Sequence, residues 1–198
     1  MAQMRICFIG DSFVSGAFDL ECLGWAGRIS ARARARGHDL SPYNLGIRGE
    51  TSVQIARRWR GEAEVRQAAA QEGRLVFEFG VNDAREVDGK RQLELAQSLA
   101  AAREILAAAA AWKPTLTIGP PPGADDARNE RVKELSGEIA KLCGELTVPY
   151  FDSYAALTKT PAFVADVKAV DGTHPSSTGY TQWADAIDAW PAWREWLS

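Results

Sequence analysis

The chain has 198 residues, 46% of them hydrophobic and 25% charged, with a formal net charge of −3. These values suit one soluble globular domain spanning residues 1–198, and so small a negative charge excludes an electrostatic footprint for nucleic acid. Cys7, Cys22 and Cys143 are odd in number and lack a CxxC spacing, which excludes a disulfide framework and a zinc signature.

The first element is the apolar run RICFIG (5–10), read as a strand that ends at Gly10-Asp11-Ser12. MAQMRICFIG is too short for a signal peptide. No apolar run approaches the ~20 residues that span a bilayer, so a reduced, cytoplasmic protein is expected. A helix follows over 24–36, with Trp25, Ile29 and Ala33 four residues apart. Its arginine-rich stretch RISARARARG reads as a solvated face, because the alternating alanines leave a side free to pack. LSPYNLG (40–46) is the second strand, moved towards an edge position by Pro42. TSVQIARRW (51–59) is a helix with Thr51 as its cap. RLVFEFG (74–80) is the third strand, and KRQLELAQSLAAAREILAAAAAW (90–112) is a run of strong helix formers. PTLTIG (114–119) is the fourth strand. The proline-stiffened loop GPPPGADDARN then leads into a helix over 129–146 that opens on a capping Asn129. VPYFD (148–152) is the fifth strand. The helix STGYTQWADAIDAW (177–190) carries Tyr180, Trp183, Ile187 and Trp190 on one stripe, which reads as core packing rather than a ligand cage. Pro191 breaks that helix, and AWREW forms a final short turn.

Strands that are apolar on consecutive positions are parallel strands covered on both faces. Five of them, joined by right-handed crossover helices, give a doubly wound α/β sheet whose functional crevice lies beyond the carboxyl ends of the strands. The first strand delivers Asp11-Ser12 to that edge, and the second NLGIRGET with Asn44, Gly46 and Gly49. The third delivers GVND with Asn82 and Asp83; DGTHP, with Asp171 and His174, precedes the last helix. This is a set of parts for nucleophilic acyl transfer. Ser12 is the candidate nucleophile and needs a base. Of the two histidines, His38 precedes the second strand, at the wrong edge of the sheet, whereas His174 lies at the productive edge with Asp171 three residues before it. That spacing lets a turn bring carboxylate to imidazole, fixing its tautomer. Oxyanion donors are available in the Asn82 amide, in a backbone N–H of the glycines at 46–49, and in the N–H of Ser12. Glu78 interrupts the third strand. A buried carboxylate must be hydrogen-bonded or protonated, and its reading is a clamp on the glycine loop after the second strand rather than an edge residue facing water.

Taken in order, GDSF, NLGIRGET, GVND and DGTHP resemble the four sequence blocks of the GDSL, or SGNH, hydrolase family, from residue 5 to about 185. Phe13 stands where that family has the leucine of its name. The resemblance implies a flavodoxin-like three-layer α/β/α sandwich with a five-stranded parallel sheet. It also implies a Ser12–His174–Asp171 triad and an oxyanion hole from Ser12, Gly49 and Asn82, with no cofactor and no metal. Gly49 best matches the family's oxyanion glycine, with Gly46 close by. The implied partner is a small or medium acyl ester or thioester, since no long apolar insertion resembles a lipase lid. Arg48 and Arg85 flank the glycine and asparagine blocks, as surface charges or as contacts for an anionic leaving group. Two other functions fit the same parts: an acyltransferase using the triad on a non-water acceptor, and a non-catalytic flavodoxin-like binding domain. The second lacks a glycine-rich phosphate loop after the first strand.

Overall fold

The computed structural model describes residues 3–68, 70 and 72–198. From the amino end, β1 (Met4–Gly10) leads through a one-turn helix, α1 (Ser12–Ser15), to α2 (Gly24–Ala35) and β2 (Leu40–Gly46). Next come α3 (Ser52–Gln67) and β3 (Glu72–Glu78). A small hairpin, β4 (Glu86–Val87) and β5 (Lys90–Arg91), precedes α4 (Leu95–Ala110) and β6 (Thr115–Ile118). Helix α5 (Asp126–Glu145) returns to β7 (Tyr150–Phe151). The chain finishes with α6 (Ser153–Thr158), α7 (Pro161–Val170), α8 (Ser177–Ala189) and α9 (Pro191–Trp196).

The central sheet is parallel throughout, in the order β2-β1-β3-β6-β7. It is the expected flavodoxin-like arrangement, with β2 at an edge as Pro42 requires. Residues of β1 alternate between two cores, because successive side chains of a strand point to opposite faces. Met4, Ile6 and Phe8 join Trp25 and Ile29 of α2 and Trp183 and Ile187 of α8. Cys7 and Ile9 join Ile55 and Trp59 of α3, Ile105 of α4 and Ile139 of α5. The stripe of the last long helix is core, with Tyr180, Trp183 and Ile187 buried and Trp190 against Phe151. Truncating a fully buried tryptophan such as Trp25 or Trp183 costs about 3–5 kcal/mol.

The structure departs from the sequence reading in several places. Arg28, the first residue of RISARARARG, is buried and forms ion pairs with Asp19 and Glu21. Helix α4 starts at Leu95 because the preceding residues pair as a hairpin. Asp88 and Gly89 supply its turn at φ 53° and 74°, the positive pair a two-residue hairpin turn requires. Asp125, not Asn129, caps α5, accepting from the Arg128 N–H at 2.9 Å. Asn129 instead bonds both backbone groups of Gly123. Residues 153–170, to which the sequence reading gives no helix or strand, form α6 and α7; Pro161 starts α7, and Phe163 and Val167, four apart, bury its inner face.

Candidate functional site

Gly10 is the last residue of β1, in register with Gly46 on one side and Glu78 on the other. A Cβ at Gly10 would lie 2.0 Å from the Glu78 carbonyl oxygen, so only glycine lets the strand end this close to its neighbour. Asp11 then caps α1, its Oδ1 accepting from the Phe13 N–H at 3.0 Å. Ser12 is thereby the first helical residue, and its N–H is one of the donors a helix start leaves without an intrahelical acceptor. Its Oγ lies 2.8 Å from His174 Nε2.

His174 arrives from the opposite end of the chain. Asp166 of α7 accepts from the Ser176 N–H at 2.8 Å and from its hydroxyl at 2.6 Å, tying α7 to the start of α8. Between these helices Gly172 takes φ 76°, which turns the loop back on itself. Asp171 Oδ1 accepts from the Thr173 and His174 N–H groups at 2.8 and 2.7 Å. Its Oδ2 lies 2.8 Å from His174 Nδ1. An ionised carboxylate only accepts, so Nδ1 carries the hydrogen and Nε2 is left to accept the Ser12 proton. Burial pushes the Asp171 carboxyl up, but the two N–H bonds and the imidazole outweigh it and hold it below the ordinary value. Burial, the strongest influence on His174, pushes its pKa down; Asp171 raises it, the Arg48 and Arg128 charges lower it, and the net result lies below the ordinary 6.5. The imidazole packs against Phe13 and Phe18, with ring centroids 4.9 and 5.2 Å away.

Asn82 and the glycine loop complete this edge. The Asn82 amide donates to Asp11 Oδ2 and to the Glu50 carbonyl, each at 2.9 Å, which ties the ends of β1, β2 and β3 together. Asp83 accepts from the Ser52 N–H at 2.8 Å and from its hydroxyl at 2.5 Å, and so caps α3 from another loop. Gly49 takes φ 83° beside the pocket, and no described residue accepts from its N–H. The Gly46 N–H is occupied by Asn44 Oδ1 at 3.0 Å. A Cβ at Gly46 would lie 2.3 Å from the Ser15 nitrogen, so that glycine serves close packing.

The clamp expected of Glu78 is not made. In the order β2-β1-β3, β1 stands between Glu78 and the glycine loop. The Glu78 carboxyl, wholly buried, lies against Asp11 instead, with no well-formed hydrogen bond to any described residue. Burial and the Asp11 charge hold Glu78 well above the ordinary carboxyl range. Asp11 is pushed up to about 7, by burial first and by the Asp83 and Glu50 charges, against the Phe13 and Asn82 hydrogen bonds. The loop is held by Asn82, by Asp83, and by Arg58, which bonds Glu50 Oε2 at 2.6 Å and the Leu45 and Gly10 carbonyls at 3.0 Å.

A pocket of about 500 Å³ opens over this group. Ser12, Asn82, Gly49, His174 and Asp171 line it, together with Thr173, Arg48, Arg85 and Arg128. Arg128 was not marked by the sequence. It stands in the first turn of α5, and its guanidinium bonds the Gly172 carbonyl at 3.1 Å and Thr173 Oγ1 at 3.0 Å, bracing the histidine loop. His38 lies just before β2, at the opposite edge of the sheet. Among the described residues no group of His, Cys, Asp or Glu could hold a metal ion, and no helix is long and apolar enough to cross a membrane.

This is a flavodoxin-like α/β protein with a serine–imidazole–carboxylate chain at the carboxyl ends of its strands. The chain belongs to the GDSL-like Lipase/Acylhydrolase family, whose model matches residues 8–182. No curated relative matches it by sequence. Among solved structures it is similar to the lipase/acylhydrolase from Enterococcus faecalis, with 24% identity over 98% of this chain and 96% of that one, at a TM-score of 0.79. It is also similar to Axe2, an acetylxylan esterase from Geobacillus stearothermophilus, with 20% identity over 98% and 96% of the two chains and a TM-score of 0.76. LAE5, an alpha/beta hydrolase enzyme from the metagenome of Lake Arreo, Spain, gives 18% identity over 100% and 98%, with a TM-score of 0.81.

Proposed function

We propose that the chain is a single-domain serine carboxylic ester hydrolase acting on esters or thioesters of small acyl groups through an acyl-enzyme. The observation that carries this reading is the continuous hydrogen-bond chain Ser12 Oγ–His174 Nε2 and Nδ1–Asp171 Oδ2 at the floor of an open pocket. Ser12 Oγ attacks the acyl carbonyl carbon as its proton passes to His174 Nε2. Asp171 stays ionised and stabilises the imidazolium. The tetrahedral oxyanion takes donors from the Ser12 and Gly49 N–H groups. Asn82 joins them by turning one amide hydrogen away from Asp11, because both are engaged in the resting geometry. Collapse breaks the bond to the leaving group, which departs with the proton held by His174. Water then repeats the sequence and frees the acid. None of the pocket's lining residues is aliphatic, which favours a short or polar acyl group over a long chain.

The test is active-site labelling. A fluorophosphonate probe should modify the wild-type chain once, and Ser12→Ala should abolish both labelling and hydrolysis of p-nitrophenyl acetate. Labelling that survives Ser12→Ala would remove the serine from this role.

A further inference from the structure

Three guanidinium groups face the pocket above Ser12: Arg48, Arg85 and Arg128. Elsewhere in the chain arginines such as Arg28, Arg36, Arg58 and Arg131 are paired with carboxylates. Arg48 and Arg85 have no carboxylate within ion-pair distance among the described residues. Arg48 rests over the exposed ring of Phe18, with its central carbon 5.1 Å from the ring centroid, so the side chain is laid along the pocket rim. Arg128 is fixed by its bonds to Gly172 and Thr173. Burial lowers its pKa first, Asp125 and Asp171 oppose that, and the Arg85 and Arg131 charges add to the lowering. The one carboxylate lining the pocket is Asp171, and the imidazole and two backbone N–H groups occupy it. A positive pocket in a chain of net charge −3 is a local field, opposite in sign to the whole. Like charges kept together, two of them without an ion-pair partner among the described residues, leave a gap that an anion fills, and guanidinium forks match the geometry of carboxylate and phosphate oxygens.

We propose that the substrate is an ester carrying a carboxylate or phosphate near the scissile bond, and that Arg48 and Arg85 bind this anion with Arg128 behind them. The proposal rests on the hydrolase reading above and adds the charge of the substrate. It also distinguishes the arginines from oxyanion donors, which would serve neutral and charged esters alike.

Matched esters test it. On the leaving-group side, p-acetoxybenzoate and p-acetoxyphenyl phosphate are compared with neutral p-acetoxybenzamide. On the acyl side, mono-p-nitrophenyl succinate is compared with p-nitrophenyl butyrate. Each kcat/KM is divided by the ester's own rate with hydroxide. The side and the anion that give the preference identify where the charge sits and which kind it is. The expected result is a preference of about 10-fold or more for an anionic ester, the size of one charge-assisted hydrogen bond. The ratio of anionic to neutral turnover should fall in Arg48→Gln and Arg85→Gln, and with added salt. Ratios at or below one in every pair would overturn the proposal, as would ratios that both variants leave unchanged. In those outcomes, neutral hydrolysis that depends on Ser12 leaves the hydrolase reading standing. If no ester is turned over, that reading fails, and calorimetry of the full chain with benzoate, phenyl phosphate and neutral benzamide decides. In that case the ester part of the proposal falls with that reading; anion binding weakened by Arg48→Gln supports the arginine anion site alone, and equal or absent binding overturns that site too.

Discussion

Glu78→Gln changes one atom type in a fully buried side chain and should alter how stability depends on pH. Both Asp11 oxygens accept hydrogen bonds, one from the Phe13 N–H and one from the Asn82 amide. Neither Glu78 oxygen accepts a well-formed one. The last proton this pair gives up therefore costs least on Glu78, where it displaces no donor. Both folded-state pKa values are raised, so their contribution to stability is complete below the unfolded values and is lost as pH rises. For Asp11 the window runs from its ordinary 3.8 to about 7. Each proton kept by the folded chain but lost by the unfolded one costs ~1.4 kcal/mol per pH unit. Glutamine has the size of protonated glutamic acid and nothing to titrate. The variant should match the wild type within about 1 kcal/mol at pH 4.5. Above that its curve should be shallower by about one proton, gaining ~1.4 kcal/mol on the wild type for each pH unit. Urea unfolding at pH 4.5, 5.5, 6.5 and 7.5 measures this directly. Parallel curves would refute the buried proton, and infrared spectra lacking a protonated carboxyl band at pH 6 would do the same independently.

The same geometry sets two further outcomes. The base must be unprotonated to work, so the acid limb of kcat/KM for a neutral ester should lie below pH 6.5, His174 being depressed. Arg48→Gln removes one of the positive charges that lower it and should move that limb upward; a limb above 6.5 in the wild type would contradict the assignment. Asn82→Ala should lower kcat by about 10²–10³ if the amide reaches the oxyanion. It should also cost about 1–3 kcal/mol of stability through the bonds lost to Asp11 and Glu50. Normal kcat with a lowered melting temperature would leave the oxyanion to the Ser12 and Gly49 N–H groups.

The sequence placed residues well where position along a strand decides the matter. Ser12, Asn82 and the glycine loop each come directly after a parallel strand, and parallel strands deliver the residues at their carboxyl ends to a common edge. His174 and Asp171 lie three residues apart at that edge, and the alternative, His38, lies at the other end. Features that could not be read depended on lateral order or on distant pairing. Glu78 was recognisable as a buried acid, but its neighbour is decided by β1 lying between β2 and β3. Arg128 braces a loop 44 residues further along, and no local pattern in ADDARNE announces that. Asp83 follows Asn82 in GVND, yet the N–H it satisfies belongs to Ser52, 31 residues away. The hairpin at 86–91 did carry a local signal, Asp88-Gly89, which the helix-forming residues after Lys90 obscured.

The triplet Gly10-Asp11-Ser12 shows why a short motif can be both weak evidence and a strong constraint. Each residue answers a different physical demand. Gly10 is needed because the Glu78 carbonyl occupies the space of a Cβ. Asp11 is needed because α1 has only four residues, too few to stabilise itself without a cap and its packing. Ser12 is first in that helix, which directs its Oγ and N–H to the same small volume beside His174. The cost is a carboxyl buried against Glu78 and within reach of the Asp83 and Glu50 charges. Asn82 offsets part of that cost with one amide hydrogen and uses the other to fix Glu50, next to Gly49. The asparagine block is thus coupled to the serine block through Asp11 and to the glycine block through Glu50. A substitution at Asp11 would therefore disturb all three donors proposed for the oxyanion at once, although Asp11 itself does not line the pocket.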